Sequence, residues 1–292
     1  MSRLARQEWT ALAHSHRERV EAELADVSYR RVRGLRHPVD DFLFHYYNLR
    51  PSHLAQWHPG VGVVLVDAPE FVALPFYLPG PDAVFDAPGF VAKRRGTIGT
   101  ARRLLAASAA AAPRFDCFGM HEWAMVYRLG PGETRHPYLK LRFEPEELAQ
   151  IVDDTGCRCS HFDAFRFFTA PAKPLNLLEP TRQRQAELDQ PGCLHVNMDL
   201  YKWAGKLSPA VPTELLFDTF LLARQIREVD MAASAYDLTD WGIAPIRVET
   251  PTGRAEYAAL QRDFHRRAAP LRSRLLGWVD KLLAAAGNPA MG

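Results

Sequence analysis

Lysine is scarce in this chain of 292 residues: six lysines stand against thirty arginines, a bias that most economically reflects a GC-rich genome. Cysteine is scarcer still. Cys117, Cys157, Cys159 and Cys193 are too few and too scattered for a disulfide framework, so reduced thiols are expected. No apolar run approaches the roughly 20 residues that a membrane span requires. The basic start MSRLARQEWT is not followed by an apolar core of signal-peptide length. These absences lead us to expect a cytoplasmic protein with no membrane partner. Repeats, low-complexity tracts and Gly/Ser linkers are also missing, which favours one globular domain over residues 1–292.

The 47% apolar content is enough for a buried core. A net charge of +2 does not separate a nucleic-acid binder from an ordinary enzyme, because binding needs a localised field. Basic residues do cluster. Arg30, Arg31, Arg33 and Arg36 form one group, Lys93, Arg94, Arg95, Arg102 and Arg103 a second, and Arg262, Arg266, Arg267, Arg272 and Arg274 a third.

The pattern predicts a mainly α fold, a single helical domain with a small irregular β/hairpin element near residues 60–90. Trp9, Leu12, His16, Val20 and Leu24 share one helical stripe. Pro38 can open a short aromatic helix that Pro51 would end. The segment from Pro59 to Pro88 mixes β-branched runs with Pro and Gly and has no helical period. Further helices are expected over Thr97 to Ala112, Phe143 to Asp154, and Thr213 to Asp230, the last buried all round in its first half. A final helix carries Tyr257, Leu260, Phe264, Leu271, Leu275, Trp278 and Leu282, with a kink at Pro270.

Polar chemistry concentrates in three segments, DCFGMHEWAMVYR, CRCSHFDAFRFF and GCLHVNMDLYKWAGK. In the first, His121, Glu122 and Trp123 cannot all face solvent on a helix. An unpaired buried Glu122 would cost several kcal/mol, so a partner, a raised pKa or a polar cavity must compensate. In the second, His161 and Asp163 lie side by side on a strand but apart on a helix. The H-x-D spacing also occurs in two-histidine, one-carboxylate iron sites. Cys157, Cys159, Cys193 and His195 are soft donors, but C-x-C and C-x-H do not fit the usual zinc spacing. In the third, His195, Asp199 and Lys202 share a helical face, as do Asp199, Trp203 and Lys206. Arg224, Arg227, Glu228, Asp230 and Asp237 follow a buried run; they satisfy one another at the rim of a core or close one wall of a site. HPGVGVV matches part of a helix-hairpin-helix phosphate loop, but VVLVDAP follows where that motif needs a helix.

Taken together, HPVDDFLFHYYNLRP, GMHEWAMVYR, HFDAFRFF, NMDLYKWAGKL and DMAASAYDL resemble a family from high-GC bacteria labelled 3-methyladenine DNA glycosylase. The resemblance covers nearly the whole chain. It implies a DNA repair hydrolase that cleaves the N-glycosidic bond of an alkylated base in base excision, with DNA as partner and no cofactor. Such an enzyme extrudes the base and stacks it on aromatic walls, for which Trp123, Phe165, Tyr201 and Trp203 are available, with Asn197 and Lys202 beside them. Asp163, Asp199 or Glu122 would activate water or steady the oxocarbenium-like sugar, and His161 or His195 would orient the water. Arg94, Arg95, Arg102, Arg103 and Lys206 would meet the DNA backbone.

The same residues suit a second class, a metal-dependent oxygenase or hydrolase of a small molecule. There His121, Glu122, His161, Asp163, His195 and Asp199 are the candidate ligands for iron, manganese or zinc. A nucleic-acid-binding protein without catalysis is a third.

Overall fold

The structure is a computed structural model that describes residues 1–130 and 132–287. It is mainly helical, as the periodicity predicts. In chain order the helices are α1 (Arg6–Glu23), α2 (Ala25–Val32), α3 (Asp40–Tyr46), α4 (Pro51–Ala55), α5 (Ala87–Ala110) and α6 (Met120–Ala124). There follow α7 (Pro145–Thr155), α8 (Phe162–Phe165), α9 (Gln185–Leu188), α10 (Leu194–Leu207), α11 (Thr213–Ala232) and α12 (Pro251–Ala285). No helix among the described residues is long and apolar enough to cross a membrane.

The described residues also form three single-turn 3-10 helices and five short strands: β1 (Ser2–Leu4), β2 (Val63–Leu65), β3 (Ala83–Val84), β4 (Lys140–Leu141) and β5 (Tyr236–Asp237). The expected hairpin element is present, since Val64 of β2 lies opposite Val84 of β3 in antiparallel register. Unforeseen is β1, which adds to β2 in parallel with Arg3 opposite Val64. The second sheet pairs Lys140 of β4 with Asp237 of β5.

The chain groups into two compact units, each assembled from separate stretches. The first comprises, among the described residues, Met1–Ala106, Leu200–Leu221 and 270–287, the second Ala107–Asp199 and Leu222–Ala269. The chain passes from one to the other within α5, α10 and α11, and again at Pro270 inside α12. No linker composition marks these crossings, because helix-forming sequence runs through them.

In the first unit Trp9, Trp57, Leu65, Ala68, Phe71 and Ala83 form a core cluster. Trp9 meets Phe71 edge-on at 5.6 Å and donates its indole N–H to the Val66 carbonyl at 3.0 Å. Burial of each large side chain of this kind contributes about 1.5–3 kcal/mol. The stripe predicted for α1 buries Trp9, His16, Val20 and Leu24, whereas Leu12 is 46% exposed. Two boundaries also differ from expectation. Pro51 opens α4 instead of ending α3, which suits a residue with no N–H to donate. Helix α5 begins at Ala87 and departs from helical geometry at Arg94; the polar and glycine residues of KRRGTIGT obscure its period.

Candidate metal centre

Helix α11 explains why charged side chains enter the core of the second unit. Ala223, Ile226, Arg227 and Asp230 recur at three- and four-residue intervals, so they share the inward stripe, and none is more than 1% exposed. Buried charges this close must be paired. Arg227 donates from one nitrogen to Glu122 Oε1 at 2.5 Å and to Asp230 Oδ2 at 2.7 Å. Glu122 is thus a paired carboxylate on α6, one of the compensations its burial required. Arg227 offsets one of the two carboxylates it touches and leaves one negative charge uncompensated by it.

The other oxygen of Asp230 faces histidine. His121 Nε2 lies 2.9 Å from Asp230 Oδ1, a close and fully buried ion-pair contact. His195, from the first turn of α10, completes the group. One donor atom each from His121, His195 and Asp230 falls within 4.8 Å of the others, and all three residues are buried. A cation about 2.1 Å from each donor would hold them no more than about 4.2 Å apart, so binding needs only a modest contraction. The rings are fixed by their neighbours. His195 meets His121 edge-on at 4.5 Å and stacks on His161 at 5.3 Å.

Electrostatics favour the ligating forms of two of the three. Burial alone would raise the Asp230 carboxyl, but the charge and hydrogen bond of His121, with the charge of Arg227, outweigh it and hold the group well below the usual carboxylate range. Burial, reinforced by His121, drives His195 well below its ordinary value, so its imidazole is neutral and keeps a lone pair. For His121 burial pulls downward, but the Asp230 carboxylate prevails and raises it. A proton on His121 and a cation at the site therefore compete for the same negative charge.

A narrow cavity of about 10 Å³ adjoins the cluster, with His121, His195, Tyr257, Cys117, Cys159 and Cys193 on its wall. Asp116 and Arg158, an ion pair at 3.3 Å, line both this cavity and a larger cleft of about 360 Å³. Burial pushes the thiols up, that of Cys157 to about 12, and those of Cys117, Cys159 and Cys193 likewise rise through burial. All four are free, as expected.

The remaining sequence candidates are placed as follows. His161 is the residue before α8, which makes HFDAF a helix start; His161 turns to Asp199 at 3.3 Å, while Asp163 pairs with Arg166 at 3.3 Å. A strand presenting His161 and Asp163 together is not formed. Trp123 is fully buried and donates its indole N–H to the Ala233 carbonyl at 2.8 Å, Phe165 packs on Phe168, and Asn197 donates to the Pro191 carbonyl. The first unit holds Tyr201, packed between Tyr47 and Phe220, and Trp203, whose ring lies 5.0 Å from Lys202 Nζ and 5.8 Å from Lys206 Nζ. There too Arg94 donates to the Lys206 carbonyl, Arg102 pairs with Asp280, and Arg95 and Arg103 are exposed.

Sequence reasoning placed His121 and His195 among the ligand candidates but gave Asp230 only to the rim or wall of a site, and took Tyr257 as a core position. The signal for Asp230 was there, in an Arg and an Asp three apart on an otherwise apolar stripe. Comparison of the chain with protein-family models, with curated proteins and with solved structures finds no match.

Proposed function

We propose that the protein is a metal-dependent enzyme, an oxygenase or hydrolase of a small molecule, with His121, His195 and Asp230 as ligands. The observation that carries this reading is the buried convergence of one donor atom each from His121, His195 and Asp230, all within 4.8 Å of one another. A cation there would take the place of the proton that joins His121 Nε2 to Asp230 Oδ1 across 2.9 Å. A neutral imidazole, an ionised carboxylate and a second imidazole are the donor set that iron(II), manganese(II) and zinc accept. Such an ion supplies Lewis acidity or oxygen activation when bound. The chain contributes positioning. Arg227 pins Asp230 Oδ2 and turns Oδ1 to the histidines, Glu122 balances Arg227, and the stacked His161 limits rotation of His195.

Elemental analysis of protein from metal-supplemented cultures tests this. Near-stoichiometric iron, manganese or zinc is expected in the wild type and a large loss in Asp230→Asn and His195→Ala. Wild-type protein without a stoichiometric transition metal would overturn the reading.

Glycosidic cleavage of an alkylated base is the second reading. It draws on the family resemblance and on the basic groups gathered at Trp203 in the first unit, with Lys202 and Lys206 over its ring and Arg94 on the Lys206 carbonyl. Release of free base from alkylated duplex DNA is its assay, and protein that binds the duplex but releases none excludes it.

A further inference from the structure

Tyr257 has a hydroxyl with nowhere to go. Its side chain is fully buried, its oxygen has no hydrogen-bond partner among the described residues, and it stands on the wall of the narrow cavity with His121 and His195. A buried donor left without an acceptor destabilises the fold, so its retention calls for an acceptor in the working protein. The hydroxyl is also held in place. A Cβ on Gly119 would lie 3.3 Å from it, so the phenol passes closely over the backbone just before α6, the helix that carries His121. One turn along α12, Gln261 donates to Cys117 Sγ at 3.2 Å and to the Gly192 carbonyl at 3.1 Å, which fixes this face of the helix.

The cavity itself limits what the acceptor can be. About 10 Å³ is the room of one water molecule. The three thiols on its wall, raised by burial, offer weak hydrogen bonding, and the Gln190 amide already donates to the Arg114 carbonyl, so the hydroxyls of Tyr257 and Ser160 are the neutral donors that remain, Tyr257 beside both histidines.

We propose that this chamber binds a single water-sized ligand bearing a lone pair, held between the Tyr257 hydroxyl and a metal at His121, His195 and Asp230. The proposal rests on the metal reading and adds a size limit and a donor to it. No nucleobase, sugar or other organic ring enters the chamber. An organic substrate would occupy the larger cleft of about 360 Å³, where Met120, Ile151 and Arg254 join Asp116 and Arg158 on the wall.

Fluoride is a suitable probe, being water-sized, anionic and a strong hydrogen-bond acceptor, with imidazole as the oversized control. Wild-type and Tyr257→Phe proteins would be loaded with cobalt(II) and titrated with each while the visible spectrum is followed. Both should take up cobalt equally. Fluoride should bind the wild type, and about 10-fold or more weakly in the variant, as loss of a charge-assisted hydrogen bond implies; imidazole should perturb neither spectrum. Equal fluoride affinities, no fluoride binding to the wild type, or ready binding of imidazole would each overturn the proposal. Failure of the wild type to take up cobalt would instead overturn the metal reading beneath it. Metal-free Tyr257→Phe should melt no lower than the wild type, because the lost hydroxyl has no protein partner. A clear fall in melting temperature would show that the hydroxyl is already satisfied within the fold and would also overturn the proposal.

Discussion

Arg227 holds two carboxylates in a region from which water is excluded, and its removal would leave both without the cation between them. Truncating one partner of a buried ionic cluster costs about 3–5 kcal/mol, so Arg227→Met should lower the unfolding free energy by that order in a urea titration. Cobalt(II) should restore part of the loss, since a cation at His121, His195 and Asp230 supplies positive charge beside Asp230. A loss below about 1 kcal/mol would contradict the pairing. A different kind of residue adds acid sensitivity to the first unit. Burial depresses His58 from an ordinary value of 6.5 to about 4. The unfolded chain therefore gains this proton at higher pH than the folded one. Stability from His58 is complete above about pH 6.5 and is lost progressively as pH falls towards 4, on the order of 3 kcal/mol in all. His58→Gln, which can still reach the Tyr77 hydroxyl that His58 Nδ1 meets at 3.0 Å, should show a shallower decline between pH 7 and pH 4.5. Identical declines would assign the acid sensitivity to other groups.

At the scale of elements, what could be read from the sequence was what depends on near neighbours. Helices α1, α7, α11 and α12 announce themselves by apolar residues at three- and four-residue intervals, and the Pro- and Gly-rich stretch between α4 and α5 reads as the small hairpin it is. The parallel addition of β1 to β2 was not legible, since three residues at the start of the chain carry no sign of which distant strand they will meet. The site divides in the same way. His121 and His195 stand out because a polar ring amid apolar residues demands an explanation within its own segment. Asp230 and Tyr257 do not, because an Asp beside an Arg and a Tyr on an apolar stripe each have an adequate local explanation. Their role depends on tertiary placement alone. HFDAF shows the limit most directly: its alternation allowed a strand, and the local turn of α8 sends His161 to Asp199 instead.

For the molecule as a whole, the division into units runs across the sequence. The second unit takes His121, Glu122 and His195 from one stretch and Arg227, Asp230 and Tyr257 from another. A fragment of residues 107–199 would bury Glu122 without its arginine and lack a ligand, so it should be unfolded by circular dichroism and bind no cobalt(II). Added fragment 222–269 would have to restore both together if complementation occurs; a folded, cobalt-binding 107–199 fragment would refute this view of the unit.

The condition of the four cysteines has a practical side. Alkylating reagents attack the thiolate, and burial keeps Cys117, Cys157, Cys159 and Cys193 protonated at neutral pH. Buried Cys157, Cys159 and Cys193 should react slowly with maleimide dyes, and half-buried Cys117 is the natural thiol to watch. A single cysteine introduced at an exposed position such as Arg95 or Arg103 should carry a fluorophore or spin label while Cys117, Cys159 and Cys193 stay in the chamber they line.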